Sequence, residues 1–202
     1  METTKEKFEE YLYQILNMYY QSKSYFIVFD IINKSRKDSL SKLNLSPGFF
    51  KIITLSLVDG LILSLSKLLE RNKRSFSMYK FINICKANQQ LFNHFPTKDF
   101  QSGIIEKVDK TTFVEFIAEL DKHDNLVCDL YEFRNGFTAH LDFKLLKRKR
   151  TIILPENEIE SLLNTLHDIL CKISVAFNGS SWSLEKSGTR DLEILLKNIK
   201  TA

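Results

Sequence analysis

Residues 46–71 read SPGFFKIITLSLVDGLILSLSKLLER, and the reading of this stretch decides the fold. Ser46 can cap a helix, and Pro47 can take its first position, where a missing N–H costs nothing. The following run from Ile52 to Leu69 is the longest apolar one in the chain, broken by Asp59 and Lys67. Placing either charge in hydrocarbon is expensive, so a buried core helix is expected rather than a membrane span. Because apolar side chains recur nearly all round it, this helix should be central. Ser56, Gly60 and Ser64, spaced by four, leave a groove of small residues where another helix can approach.

Helical periods continue on both sides. Toward the N-terminus, Thr3 and Glu6 have capping-box spacing, and Phe8, Leu12, Ile15, Tyr19, Tyr25 or Phe26, and Phe29 predict a long helix running toward Lys37. The polar segment 38–46 is a connector. Toward the C-terminus a shorter helix is expected from Phe76 to about Phe92, followed by a loop through Pro96 and Gly103. Thr112 and Glu115 then suggest another capping box, opening a helix whose Phe113, Phe116, Leu120, Val127, Leu130 and Tyr131 form one apolar face. Pro155, Glu156 and Glu158 open a fifth helix, lined by Ile159, Leu162, Leu163, Leu166, Ile169, Leu170 and Ile173 and closed by Asn178-Gly179. A Ser-rich connector with the single Trp182 leads to a last helix over about 189–199.

Composition agrees with this reading. Six Gly and three Pro in 202 residues are too few for the tight turns of a β-sandwich or barrel, while 44% hydrophobic content is enough for one sizeable core. One all-α domain of five to six helices over residues 1–202 is therefore expected. The charged N-terminus has no apolar signal region, and Cys85, Cys128 and Cys171 form no CxxC pair, so a cytoplasmic protein without a disulfide framework is expected. A net charge of +4 is too small to establish a nucleic-acid partner.

One segment carries a sharper chemical signal: Arg134-Asn135-Gly136-Phe137-Thr138-Ala139-His140. Counting by sevens from Leu120 and Val127 reaches Arg134, so a guanidinium falls on an otherwise apolar stripe. A buried unpaired cation costs several kcal/mol, so Arg134 needs an acid such as Asp59 or Glu132, an interface cleft, or a ligand such as phosphate. His140, six residues on, is turned roughly 240° away on an ideal helix. Gly136 can let the helix distort or end between them, and a symmetric dimer can also bring two copies of each residue into one cleft.

The spacing of Arg134, Asn135 and His140 resembles the Arg-polar-(x)-His signature of the HEPN superfamily, all-α domains found in many prokaryotic defence and toxin systems. The flank Ala139-His140-Leu141-Asp142 and the segment Leu57–Leu69 look like the abortive-infection U-type (AbiU-like) branch, over roughly residues 5–175. The resemblance implies a HEPN-like bundle with a core over about 5–175 and a C-terminal helix over about 189–200. It also implies a homodimeric, metal-independent endoribonuclease with no cofactor, in which the two subunits' motifs meet at the interface. His140 would move protons at the ribose 2′-hydroxyl or the leaving oxygen, Arg134 would neutralise the phosphorane, and Asn135 would orient the phosphate or the imidazole, with Asp59 in possible support. RNA would be the substrate, and an antitoxin protein a possible partner. Alternatively, the domain binds RNA, a nucleotide or a protein without cleaving. Where some toxins of the superfamily carry a tyrosine two residues after the histidine, this chain has Asp142, so control through that tyrosine is not expected.

Beyond the motif, Lys144, Lys147, Arg148, Lys149 and Arg150 are placed to track an RNA backbone, or form a solvated loop. Arg71, Lys73 and Arg74 make a weaker basic cluster where cations also complement a helix dipole. His167 and Cys171 are spaced i, i+4 but supply only two metal ligands, so core packing is expected of them. His123, eleven residues before Arg134, is expected on nearly the same face three turns away, and His94 has no identifiable partner. The 16 Phe and 7 Tyr are expected in the core or at a dimer interface.

Overall fold

A computed structural model describes residues 3–38, 40–92, 97–98, 105–138, 155–180 and 189–198. Eight α-helices lie within them: α1 (Lys5–Asp38), α2 (Leu40–Leu43), α3 (Pro47–Leu68), α4 (Met78–Ala87), α5 (Lys110–Asp121), α6 (Asp124–Phe133), α7 (Glu156–Asn178) and α8 (Thr189–Asn198). A 3-10 turn over Gln89–Leu91 follows α4, and a π-helical turn over Arg134–Thr138 follows α6. The only strands among the described residues are two-residue pieces, Thr97–Lys98 and Ile105–Glu106, paired antiparallel. The fold is all-helical apart from that clip.

The expected count of five to six helices is exceeded for two reasons. The polar connector contains the single turn α2, and the expected fourth helix is two, because the chain turns at Lys122 and His123 before α6 begins. The caps also differ in detail. Thr4 rather than Thr3 closes the start of α1, its hydroxyl accepting from the Lys7 N–H. Asp109 caps α5, accepting from the N–H groups of Thr111 and Thr112, while the Thr112 hydroxyl accepts from the Asp109 N–H. Thr112 thus sits at the third position of a capping box rather than at its head. Ser46 makes no side-chain cap bond, whereas Ser77 caps α4. Gly179, at φ 72°, ends α7 in the left-handed conformation that favours glycine.

The core forms where α1, α3, α4, α5, α6 and α7 turn their apolar sides inward. Phe8 of α1 lies 5.5 Å from Phe81 of α4, 5.3 Å from Phe92 and 4.6 Å from Phe177 of α7, ring centre to ring centre. Aromatic pairs at such separations add about 0.5–1.5 kcal/mol each beyond their burial. Helices α1 and α3 approach closely at Gly60: a Cβ there would lie 2.9 Å from the Tyr25 ring. Of the small-residue groove, Ser64 is buried and donates to the Leu61 carbonyl, and Ser56 is exposed.

Helix α3 is central in only half its length. Leu61, Ile62, Leu65 and Leu68 are buried, but in the first half Phe49, Ile52 and Leu55 are 56%, 65% and 56% exposed. By length and composition α3 could cross a membrane. Its second half is built into the core, and Asp59 and Lys67 are both exposed. The expectation of a helix covered all round is corrected accordingly: apolar character all round reflects a core on one end and an apolar surface on the other.

Candidate functional site

The C-terminal end of α3 leaves carbonyls with no partner further along the helix, as every helix end does. Tyr131 of α6 answers one of them, its hydroxyl donating to the Leu69 carbonyl at 2.6 Å. That bond pins α6 across the end of α3 and delivers the next turn of α6 to the residue after Leu69, which is Glu70. Arg134, three residues beyond Tyr131, lays its guanidinium over the Tyr131 ring, 5.0 Å from the centroid. Its Nη1 donates to Glu70 Oε2 at 3.2 Å, and its Nε donates to Asn135 Oδ1 at 3.1 Å. The other carboxylate oxygen, Oε1 of Glu70, accepts from the Asn72 N–H, so the acid is held from both sides.

The side chains of Arg134 and Glu70 are each 25% exposed, which places the pair in a partly desolvated pocket with an open side. Two of the five guanidinium N–H groups are engaged by these bonds, and the remaining donors have no partner among the described residues. Burial pushes the Tyr131 phenol up to about 12; the Glu70 carboxylate adds to the rise and Arg134 opposes it. Tyr131 therefore stays protonated at neutral pH and keeps its bond to Leu69. The chain distorts where a helix-weakening glycine was expected to act: Gly136 is buried inside the π-helical turn. Such turns interrupt the regular ladder and often mark functional sites.

A second cluster forms at the same helix end. Arg71 Nη2 donates to Tyr79 of α4 at 2.8 Å, to Asp121 at the end of α5 at 2.7 Å, and to Asp124 at the start of α6. The Tyr79 hydroxyl donates to Asp121 at 3.1 Å, and the Arg71 guanidinium lies 4.8 Å from the Tyr79 ring centre. These side chains are about half exposed, so each pair adds little stability, but together they fix α4, α5 and α6 against the end of α3. Arg71 is thereby neutralised within the fold. Of the weaker basic cluster expected from the sequence, only the exposed Lys73 and Arg74 are left to meet an external anion.

The expected site residues are distributed unevenly. Arg134 and Asn135 are side by side. His140 and the basic residues Lys144, Lys147, Arg148, Lys149 and Arg150 lie outside the described residues, as does His94. Asp59 is exposed and eleven residues from Glu70, about 16 Å along the helix axis, so the acid at Arg134 is Glu70 and not Asp59. His123 does not share Arg134's face, because the turn between α5 and α6 reorients it. Its Nε2 lies 3.1 Å from Thr165 Oγ1 of α7, and burial lowers its pKa below the usual imidazole value. The sequence reading missed Glu70 and Tyr131. Glu70 stands directly after the apolar helix, but nothing local links it to a residue 64 positions away.

The profile of the protein family described as AbiU2, a HEPN family, matches residues 5–196. The match runs past the expected limit near residue 175 and takes in most of α8. That helix is part of the fold: Leu196 is buried, and Lys42 Nζ donates to its carbonyl at 2.7 Å. No curated protein and no solved structure matches the chain.

Proposed function

The chain belongs to the AbiU2 family of HEPN domains, and on that premise we propose that it is a metal-independent endoribonuclease of an abortive-infection or toxin–antitoxin system. The observation that carries this reading is the presentation of Arg134: a guanidinium at a π-helical turn, fixed by Glu70, Asn135 and Tyr131, with donors left for a phosphate. A planar cation held in place before charge develops stabilises a phosphorane more effectively than one that must be ordered during the reaction. His140 takes the proton from the ribose 2′-hydroxyl or gives one to the leaving oxygen, which an imidazole near its ordinary pKa can do at neutral pH. Asn135 orients the phosphate or the imidazole. Lys144, Lys147, Arg148, Lys149 and Arg150 hold the RNA backbone. The product is a 2′,3′-cyclic phosphate, and DNA, without a 2′-hydroxyl, is spared.

In this reading the protein acts in the cytoplasm as a homodimer, with an antitoxin protein as a further partner. The exposed Phe49, Ile52 and Leu55, one to two turns apart on α3, support self-association, since apolar surface gathered on one stretch of helix marks an interaction site. The ion pair itself favours a second reading, a non-catalytic module that binds RNA, a nucleotide or a protein: a guanidinium that already has its own carboxylate needs no phosphate to satisfy it.

Purified protein incubated with mixed RNA in EDTA, beside Arg134→Ala and His140→Ala variants of verified fold, separates the two. Cyclic-phosphate ends produced by the wild type alone are expected. Salt-sensitive binding of intact RNA in every lane, with a control ribonuclease active, overturns cleavage in favour of the binding module.

A further inference from the structure

The two residues His167 and Cys171 on α7 are not packed into the core, as their apolar neighbours suggested they would be. They touch: Cys171 Sγ lies 3.3 Å from His167 Nε2, within reach for a hydrogen bond to sulfur. Both are partly exposed, at the seam between α7 and α1. The opposite ring nitrogen, Nδ1, lies 3.4 Å from Asp168 Oδ1. With Nδ1 protonated toward that carboxylate, the Nε2 lone pair faces the sulfur and accepts the thiol proton.

From α1, Tyr19 and Tyr20 complete the surroundings. The Tyr19 ring is 6.3 Å from the imidazole, and its hydroxyl is buried without a hydrogen-bond partner among the described residues. Burial raises the pKa of both phenols, and the nearby Cys171 raises it further. Contact with Cys171 is also the largest influence on His167, lifting the imidazole above its usual value. Among the described residues no group of three His, Cys, Asp or Glu side chains is placed to hold a metal ion.

We propose that Cys171 is a modification site: a thiol whose proton His167 accepts as the sulfur attacks a low-molecular-weight disulfide. In that exchange the Cys171 Sγ–S bond forms and the S–S bond of the reagent breaks. One half of the reagent stays on Cys171 as a mixed disulfide, and the other leaves as a thiolate that can take back the proton from His167. Cys171 is oxidised and the departing half is reduced, so no further oxidant is required. The site is independent of the ribonuclease reading. It puts a modifiable group on the α1–α7 seam, and the other two cysteines differ from it: Cys85 is fully buried, and Cys128, although exposed, has no histidine within hydrogen-bond distance among the described residues.

The full-length protein is incubated with oxidised glutathione at pH 7, and mixed disulfide on each cysteine peptide is followed by mass spectrometry over time. An ordinary thiol is only about 3% ionised at pH 7, so base assistance can raise the rate by at most about 30-fold. Cys171 is expected to react several-fold to tenfold faster than Cys128, and His167→Gln is expected to remove that advantage while Cys85 stays unmodified, which reports an intact fold. Wild-type Cys171 reacting no faster than Cys128 overturns the proposal, as does an unchanged Cys171 rate in a folded His167→Gln variant. If that variant exposes Cys85, the wild-type ratio of Cys171 to Cys128 decides alone.

Discussion

The two halves of α3 are almost equally apolar and lead opposite lives. From Leu61 to Leu68 the helix is enclosed by its neighbours, and its end carries the Glu70 and Arg71 contacts that fix α4, α5, α6 and Arg134. From Phe49 to Leu55 the same kind of side chain faces outward. Hydrophobicity along a helix therefore says that a surface needs covering, and does not say whether its own chain or another molecule provides the cover.

The largest effect expected from this contrast is on stability. Leu65→Ala removes a fully buried side chain and should cost about 2–5 kcal/mol in urea unfolding, whereas Leu55→Ala should cost under about 0.5 kcal/mol. Comparable losses at the two sites would mean that the first half is also covered within one chain. Self-association comes next. Ile52→Glu should weaken it by roughly tenfold or more in sedimentation experiments, with an unchanged unfolding curve at concentrations where both proteins are monomeric, because a charge in an apolar interface must be desolvated. A wild type that sediments as a monomer throughout would deny the exposed half this role. Leu55 is fifteen residues from Glu70, about 22 Å along the axis, so RNA cleavage retained by monomeric Ile52→Glu would place a working site in one chain.

A smaller effect belongs to the junction of the two halves. Gly60→Ala pushes a methyl group against the Tyr25 ring and should destabilise by about 1 kcal/mol despite the better helix propensity of alanine. The sign should reverse in a Tyr25→Ala background; a stabilised single mutant would show that the ring gives way freely. The smallest effect is expected where α3 meets the motif. Glu70→Gln releases Arg134 from its internal carboxylate, so RNA should bind a few-fold more tightly at low salt while cleavage slows, because the guanidinium is less firmly placed. Looser binding together with slower cleavage would mean that Glu70 supports the fold of the site and does not compete with the phosphate.

The legible parts of this molecule are those written in local periods. The boundaries of α1, α3 and α7 follow from capping residues, Pro47, Pro155 and Gly179 and from runs of i, i+3 and i+4 apolar positions. The turn at Lys122 and His123 escaped because Phe113 to Tyr131 keeps an apolar rhythm through it, and that rhythm misplaced His123 relative to Arg134. At the candidate site, the need for an anion at Arg134 was readable from a cation on an apolar stripe. Its identity was not, since Asp59 and Glu132 were as reasonable as Glu70 on charge alone.

The sequence by itself determined that this is an all-helical chain with an AbiU-like motif, because helix caps, periodicity and a short signature depend on neighbours within a few turns. Only the tertiary structure decided which acid faces Arg134, which half of α3 is covered, and that the i, i+4 pair His167 and Cys171 lies at an accessible seam. Those outcomes depend on how helices cross, and a crossing is set by many side chains far apart in the chain.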